Sequence, residues 1–200
     1  MQIEIEAKWL NADIAEMRKR LTSAGAALIT PERLMVRSVF DYTDKRLEKI
    51  GGWIRVRNEG DKITLSYKQL NDRTLHGTKE VTVIVDEFEN TCIFLKSIGL
   101  EQNSFQETKR ESWKIGDTEI ELDTWPWIPS FIEIEAKNED TLREVADLLG
   151  LDYTLALHGS VETAYQAVYD VSEEEIDSWP EIRFIETPGW LESKRKSATS

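Results

Sequence analysis

Ile3-Glu4-Ile5-Glu6-Ala7-Lys8 alternates apolar and charged residues. That period of two predicts a β-strand with unlike faces, because successive side chains leave opposite sides of an extended chain. Ile3, Ile5, Ala7 and Trp9 share one face, and Glu4, Glu6 and Lys8 share the other. Nearly the same words return as Ile132-Glu133-Ile134-Glu135-Ala136-Lys137. One such strand fits a sheet with a solvated face. Two of them, with arginine-bearing strands between, point to a shared polar interior.

The remaining strands carry the same alternation. A second strand is expected through Val36, Val39 and Phe40 to Asp41-Tyr42. After the Gly51-Gly52 break comes Trp53-Ile54-Arg55-Val56-Arg57, with arginines on its polar face, then a hairpin at Glu59-Gly60-Asp61 and a fourth strand from Ile63 to Lys68. A polar loop, Asn71 to Gly77, leads into a fifth strand, Thr78 to Val85. The sixth is Ser104 to Trp113 with Arg110 inside it, and the seventh is Thr118 to Asp123, where Glu119, Glu121 and Asp123 share a face. Two prolines keep Trp125-Pro126-Trp127-Ile128-Pro129 out of a central strand, and Phe131 to Ala136 is the eighth.

Helices are marked by capping spacings: Asp13 with Glu16, Asp86 with Glu89, Thr141 with Glu144 and Ser172 with Glu175. Ile14, Met17 and Leu21 form the first apolar stripe, and Phe88, Cys92 and Leu95 the second; Gly25, Gly99 and Gly150 are stops. A fourth helix is expected over Ser160 to Tyr169. Beyond Pro180 the pattern fades, and Glu192 to Ser200 are expected to fray. The predicted fold is α+β: an eight-stranded antiparallel β-barrel, or tunnel, flanked by helices. Residues 1–170 form the tunnel domain and 171–200 a C-terminal helix with a polar tail.

The formal net charge of −13 argues against general nucleic-acid or anionic-membrane affinity, while leaving room for a local cationic pocket. No apolar run approaches the roughly 20 residues of a membrane helix, and no secretory leader is expected. Cys92 is the single cysteine, so no intramolecular disulfide forms and a cytoplasmic home is expected. Two histidines and one cysteine argue against a zinc cage, and no Gly-x-x-x-x-Gly-Lys loop is present. Carboxylates two residues apart on one strand face can share a hard cation such as Mg²⁺ or Mn²⁺. Arginine forks suit phosphate oxygens and lysines supply point charges. A lumen holding both suits a polyphosphate–metal complex. On an ordinary one-sided sheet the same charges face water, which is the competing reading.

The series Glu4-x-Glu6-x-Lys8, Phe40-Asp41, Arg55-x-Arg57, Lys68, Glu80, Arg110-x-x-Trp113, Leu122-Asp123 and Phe131-x-Glu133-x-Glu135 resembles the CYTH family, also called triphosphate tunnel metalloenzymes. The resemblance implies an eight-stranded tunnel acting on triphosphate compounds with Mg²⁺ or Mn²⁺. It implies Glu4, Glu6, Glu133 and Glu135 as catalytic metal ligands, with Glu80, Glu121 and Asp123 as further metal candidates. It implies Lys8, Arg55, Arg57, Lys68 and Arg110 as phosphate contacts. Thr78 and Thr82 stand where the family often has an Arg-x-Glu-x-Glu strand, and Thr108 where a Lys-x-Arg pair is common. Three functions stay open: hydrolysis of a triphosphate, cyclisation of ATP to cyclic AMP and pyrophosphate, and triphosphate binding without turnover. The partner is a small triphosphate compound, with a homodimer possible. His76 and His158 are candidate bases or ordinary loop histidines; neither precedes Phe, as the histidine of some cyclase-like relatives does. Trp53, Trp113, Trp125 and Trp127 are expected to pack the barrel and its ends.

Overall fold

The structure, a computed structural model, describes residues 2–70 and 78–197, with the side chains of residues 2–4 and 78 excluded. The expected loop Asn71–Gly77, with His76, lies outside the described residues. In chain order the elements are β1 (Gln2–Trp9), α1 (Ile14–Ser23), β2 (Ala27–Tyr42), β3 (Gly52–Asn58), β4 (Ile63–Leu70), β5 (Thr78–Val85), α2 (Phe88–Ser97), β6 (Leu100–Ile115), β7 (Thr118–Thr124), β8 (Phe131–Ala136), α3 (Glu139–Leu148), α4 (Glu162–Val168), α5 (Glu173–Asp177), β9 (Glu181–Ile182) and α6 (Gly189–Glu192).

Strand pairing runs β2-β3-β4-β5-β1-β8-β7-β6 and returns to β2, every contact antiparallel. Eight strands thus form a ring. β1 and β5 share three residue pairs among the described residues, Gln2–Glu80 to Glu4–Thr78. The repeated hexapeptides are neighbours, with Glu6 opposite Glu135 and Lys8 opposite Glu133. Gly51 makes the β2–β3 connection possible. Its φ is +70°, and a Cβ there would stand 2.1 Å from the Leu70 carbonyl oxygen.

The apolar faces point outward and the helices cover them. α1 and α3 lie over β1, β6, β7 and β8, burying Ala7, Trp9, Leu21, Ile120, Ile132, Ile134, Leu142 and Ala146. α2 covers β2 and β3 through Cys92 and Leu95 against Phe40 and Val56. A third cluster closes one end of the ring with Trp125, Phe131, Tyr165, Tyr169, Ile176, Trp179, Ile182 and Leu191. Residues on both sides of position 170 contribute to it. Tyr165 and Tyr169 donate to the carbonyls of Pro126 and Trp127, which fixes the proline-bounded corner. No helix among the described residues is long and apolar enough to cross a membrane.

Several boundaries differ from the expectation. β2 and β6 are 16 residues each, longer than read, because β2 passes through Pro31 with register irregularities between Leu28 and Arg33 that break the alternation. Asp86 does not cap α2; Glu87 holds that position without a side-chain bond. α3 begins earlier than Thr141, where Asn138 accepts from the Thr141 amide. Within the expected frayed end, Arg195 and Lys196 are anchored instead: Arg195 donates to Tyr169 Oη at 2.6 Å, and the Lys196 amide donates to Val168 O at 2.9 Å, while residues 198–200 lie outside the described residues. β9 adds a short parallel strand to β6. The Ile132→Ala variant, truncating a side chain with 0 % exposure, is expected to lose about 2–5 kcal/mol of stability in urea unfolding; a loss below about 0.5 kcal/mol would contradict packing of this face against α3.

Candidate functional site

Register decides which charges meet inside the ring. Glu133 stands opposite Glu121 and Glu135 opposite Glu119 across β7 and β8. Glu6, Glu119, Glu121, Asp123, Glu133 and Glu135 therefore line one wall, built by β1, β8 and β7. β3, four strands round the ring from β8, presents Arg55 and Arg57, with Arg33 and Arg37 on β2 beside it and Lys68 on β4. The cavity between these walls is about 940 Å³. Glu4 lies on β1 opposite Thr78, with its side chain outside the described residues.

Each wall contains counter-charges of its own. The Lys8 ammonium donates to Glu6 Oε1 at 3.0 Å and Gly159 O at 2.8 Å, and stands 3.1 Å from Glu133 Oε2. Its three N–H groups are thereby engaged. Arg110 grips Asp123 with Nε at 2.7 Å and Nη2 at 2.5 Å, and Nη2 is 3.4 Å from Glu133. These two residues, read from the sequence as phosphate contacts, are tied to the acidic wall. On the basic wall, Glu80 accepts from Arg55 at 3.1 Å and pairs with Lys68 at 2.9 Å. Thr82 holds Glu80 by donating at 2.6 Å. Glu80, read as a metal candidate, stands among cations. Glu59 accepts from Arg57 at 2.6 Å and lies 3.7 Å from Arg33.

Several lining residues escaped the sequence reading, Arg33, Arg37 and Glu59 among them. Arg33 lay before the expected start of β2. Arg37 stood alone between apolar Met35 and Val39, so its strand face did not look charged. Glu59 looked like part of a turn. Other motif residues prove structural. Asp41 is buried and accepts from the amides of Tyr42, Leu47 and Glu48, fixing the β2–β3 connection. Trp113 donates to Glu111, which in turn binds Arg18. Lys109 sits over the Phe184 ring, away from Arg110. His158 contacts the Glu6 carbonyl at 3.3 Å and is not among the cavity-lining residues.

The electrostatics follow from crowding. Burial, then the fields of Glu133 and Glu6, push Glu135 up to about 7. Burial, with Asp123 and Glu133 adding to it against Arg110, pushes Glu121 up to about 7. Burial would raise Glu133 as well, but Lys8 and Arg110 outweigh it and hold that carboxyl at about 2. On the other wall, burial and the neighbouring Arg57 lower Arg55 to about 9. Glu121 Oε2 is buried with no hydrogen-bond partner among the described residues. No three carboxylate, histidine or cysteine groups among the described residues are already gathered into a metal cage. The donor chemistry of the acidic wall nevertheless fits a hard divalent cation: all oxygen, in excess of its internal cations, with an orphaned oxygen at Glu121.

The family model for the CYTH domain matches residues 2–157. The chain belongs to the CYTH family. Solved structures share the fold at low identity. A protein from Pyrococcus horikoshii OT3 matches with TM-score 0.68 and 19% identity, covering 81% of this chain and 99% of that one. A proposed adenylate cyclase from Vibrio parahaemolyticus matches with TM-score 0.71 and 14% identity, covering 82% and 98%. A Hippeastrum protein with a described dominant triphosphatase activity matches with TM-score 0.57 and 12% identity, covering 82% and 96%. No curated protein matches this CYTH chain.

Glu121 gives a test of the crowding. Its raised folded pKa means that the folded state binds the proton more tightly than the unfolded chain. Stability therefore falls as pH rises from the unfolded value near 4.5 through about 7. Glu121→Gln is expected to raise the melting temperature at pH 8, by a stabilisation on the order of 2 kcal/mol, and to change it little at pH 4. Equal effects at both pH values would contradict an ionisation penalty.

Proposed function

We propose that this CYTH protein hydrolyses a triphosphate compound with the help of a divalent cation, Mg²⁺ or Mn²⁺. The observation that carries the reading is the facing of an all-oxygen acidic wall and a guanidinium wall across one cavity. Glu6 and Glu133, with Glu4, Glu121 and Asp123, would hold the cation. When bound, it supplies charge neutralisation at phosphate oxygens. Lys8 and Arg110 keep Glu6, Glu133 and Asp123 in place. Arg55, Arg57 and Lys68 take phosphate oxygens as charge-assisted donors and stabilise the negative charge that grows in the transition state. Glu135, at about 7, suits the removal of a proton from the attacking water. Glu133, at about 2, is the poorer base. The buried single thiol of Cys92 fits work in a reducing cytoplasm.

The same grip would serve an adenylate cyclase, with a ribose hydroxyl as the attacking group. Hydrolysis is preferred because the Hippeastrum protein of this fold has a described dominant triphosphatase activity. Tripolyphosphate, ATP and thiamine triphosphate, each with Mg²⁺ and with Mn²⁺, separate the readings. Orthophosphate release is the expected result. Cyclic AMP with pyrophosphate would make the chain a cyclase, and thermal stabilisation without product would make it a binder. Glu135→Gln is expected to lower kcat by about 10²–10⁴ with KM changed only a few-fold; an unchanged kcat would remove Glu135 from the role of base.

A further inference from the structure

Arg37 and Arg57 are direct cross-strand partners on β2 and β3, and both line the cavity. Like charges directly opposite one another weaken a strand pair. Arg57 has Glu59 as counter-ion. Arg37 has no carboxylate within ion-pair distance among the described residues. It is instead held by neutral groups. Its Nε donates to Gln106 Oε1 at 2.6 Å, and its guanidinium lies 4.3 Å from the Trp125 ring centroid. Gln106 is 8 % exposed and donates to Ser104 Oγ at 3.1 Å; Ser104 donates to the Trp179 carbonyl at 2.8 Å. The chain from Trp179 through Ser104 and Gln106 thus aims Arg37, whose main opposite charge is Glu162, beyond ion-pair distance. The terminal amino groups of Arg37 make no hydrogen bond to protein among the described residues.

We propose that Arg37 and Arg57 form a two-guanidinium subsite for one phosphoryl group of the triphosphate, with Gln106 as the positioning residue. The inference rests on the triphosphate reading and extends it to a residue pair that sequence patterning did not single out. Arg37 and Arg57 leave neighbouring positions of one strand pair into the cavity, and the guanidinium donors not taken by Gln106 and Glu59 match a tetrahedral oxyanion, whose oxygens accept from both. Arg55 lies two residues from Arg57 along β3, a rise of about 7 Å. A polyphosphate chain spans both rows, whereas a single orthophosphate fills one.

Calorimetric titration of tripolyphosphate and orthophosphate without metal tests this on wild type, Arg37→Ala, Arg37→Lys, Gln106→Glu and Arg57→Ala. Arg37→Ala is expected to weaken tripolyphosphate binding by about tenfold or more, and Arg37→Lys by less, since it restores the charge but not the fork. Gln106→Glu supplies the missing carboxylate and is expected to weaken binding with an unchanged melting temperature. A structural role for Gln106 would lower the melting temperature instead. Where Arg37→Ala does not fold, Gln106→Glu decides. Arg37→Ala or Gln106→Glu binding tripolyphosphate as wild type does, while Arg57→Ala binds weakly, would overturn the subsite and leave the triphosphate reading standing. Wild type failing to bind tripolyphosphate would overturn both.

Discussion

Charged groups withdrawn from bulk water must find opposite charge close by, and in this ring they find it in two steps. The first step is within each wall. Lys8 and Arg110 sit inside the acidic wall, and Glu59 and Glu80 inside the basic one. Without these embedded counter-ions the desolvation cost of so many like charges would far exceed the few kcal/mol by which a domain is stable. The second step is left for a ligand. Burial and neighbouring carboxylates disfavour the charged forms of Glu121 and Glu135, and burial and neighbouring arginines those of Arg37 and Arg55. The proposed metal and polyanion would each meet opposite charge on one of these walls.

The fold expresses the same constraint from outside. A polar lumen leaves the apolar strand faces outward, so stability depends on the helices that cover them. α1 and α3 bury the outward residues of the two hexapeptide strands. The third cluster, at one end of the ring, brings the C-terminal segment against Trp125 and Phe131. Proline at 126 and 129 breaks the strand there, and Tyr165 of α4 with Tyr169 just beyond it take up the carbonyls that the break exposes.

Period-two alternation made most strands legible, and it assigned Glu6, Arg55, Arg57, Lys68, Glu133 and Glu135 to the lumen because each shares a face with another charge or stands in a clean alternation. It failed where alternation fails. The irregular start of β2 hid Arg33, and apolar neighbours at 35 and 39 hid Arg37. It also could not say which cations serve the acids. Lys8 and Arg110 look like phosphate ligands in sequence, but their partners come from strands and loops distant along the chain, such as Gly159 and Asp123. Cap positions shifted for a similar reason: Asn138 and Thr141 both offer oxygens, and packing on β8 selected the earlier residue. The threonine at 82, an apparent departure from the family pattern, holds Glu80 between Arg55 and Lys68.

A crystal structure with Mn²⁺ and a non-hydrolysable tripolyphosphate analogue tests most directly whether the two walls act on one ligand. The account predicts an anomalous manganese peak against Glu6 or Glu133, with phosphate oxygens reaching Arg55, Arg57 and Lys68 from the same bound molecule. Manganese and phosphate bound on separate surfaces, or both outside the ring, would contradict it.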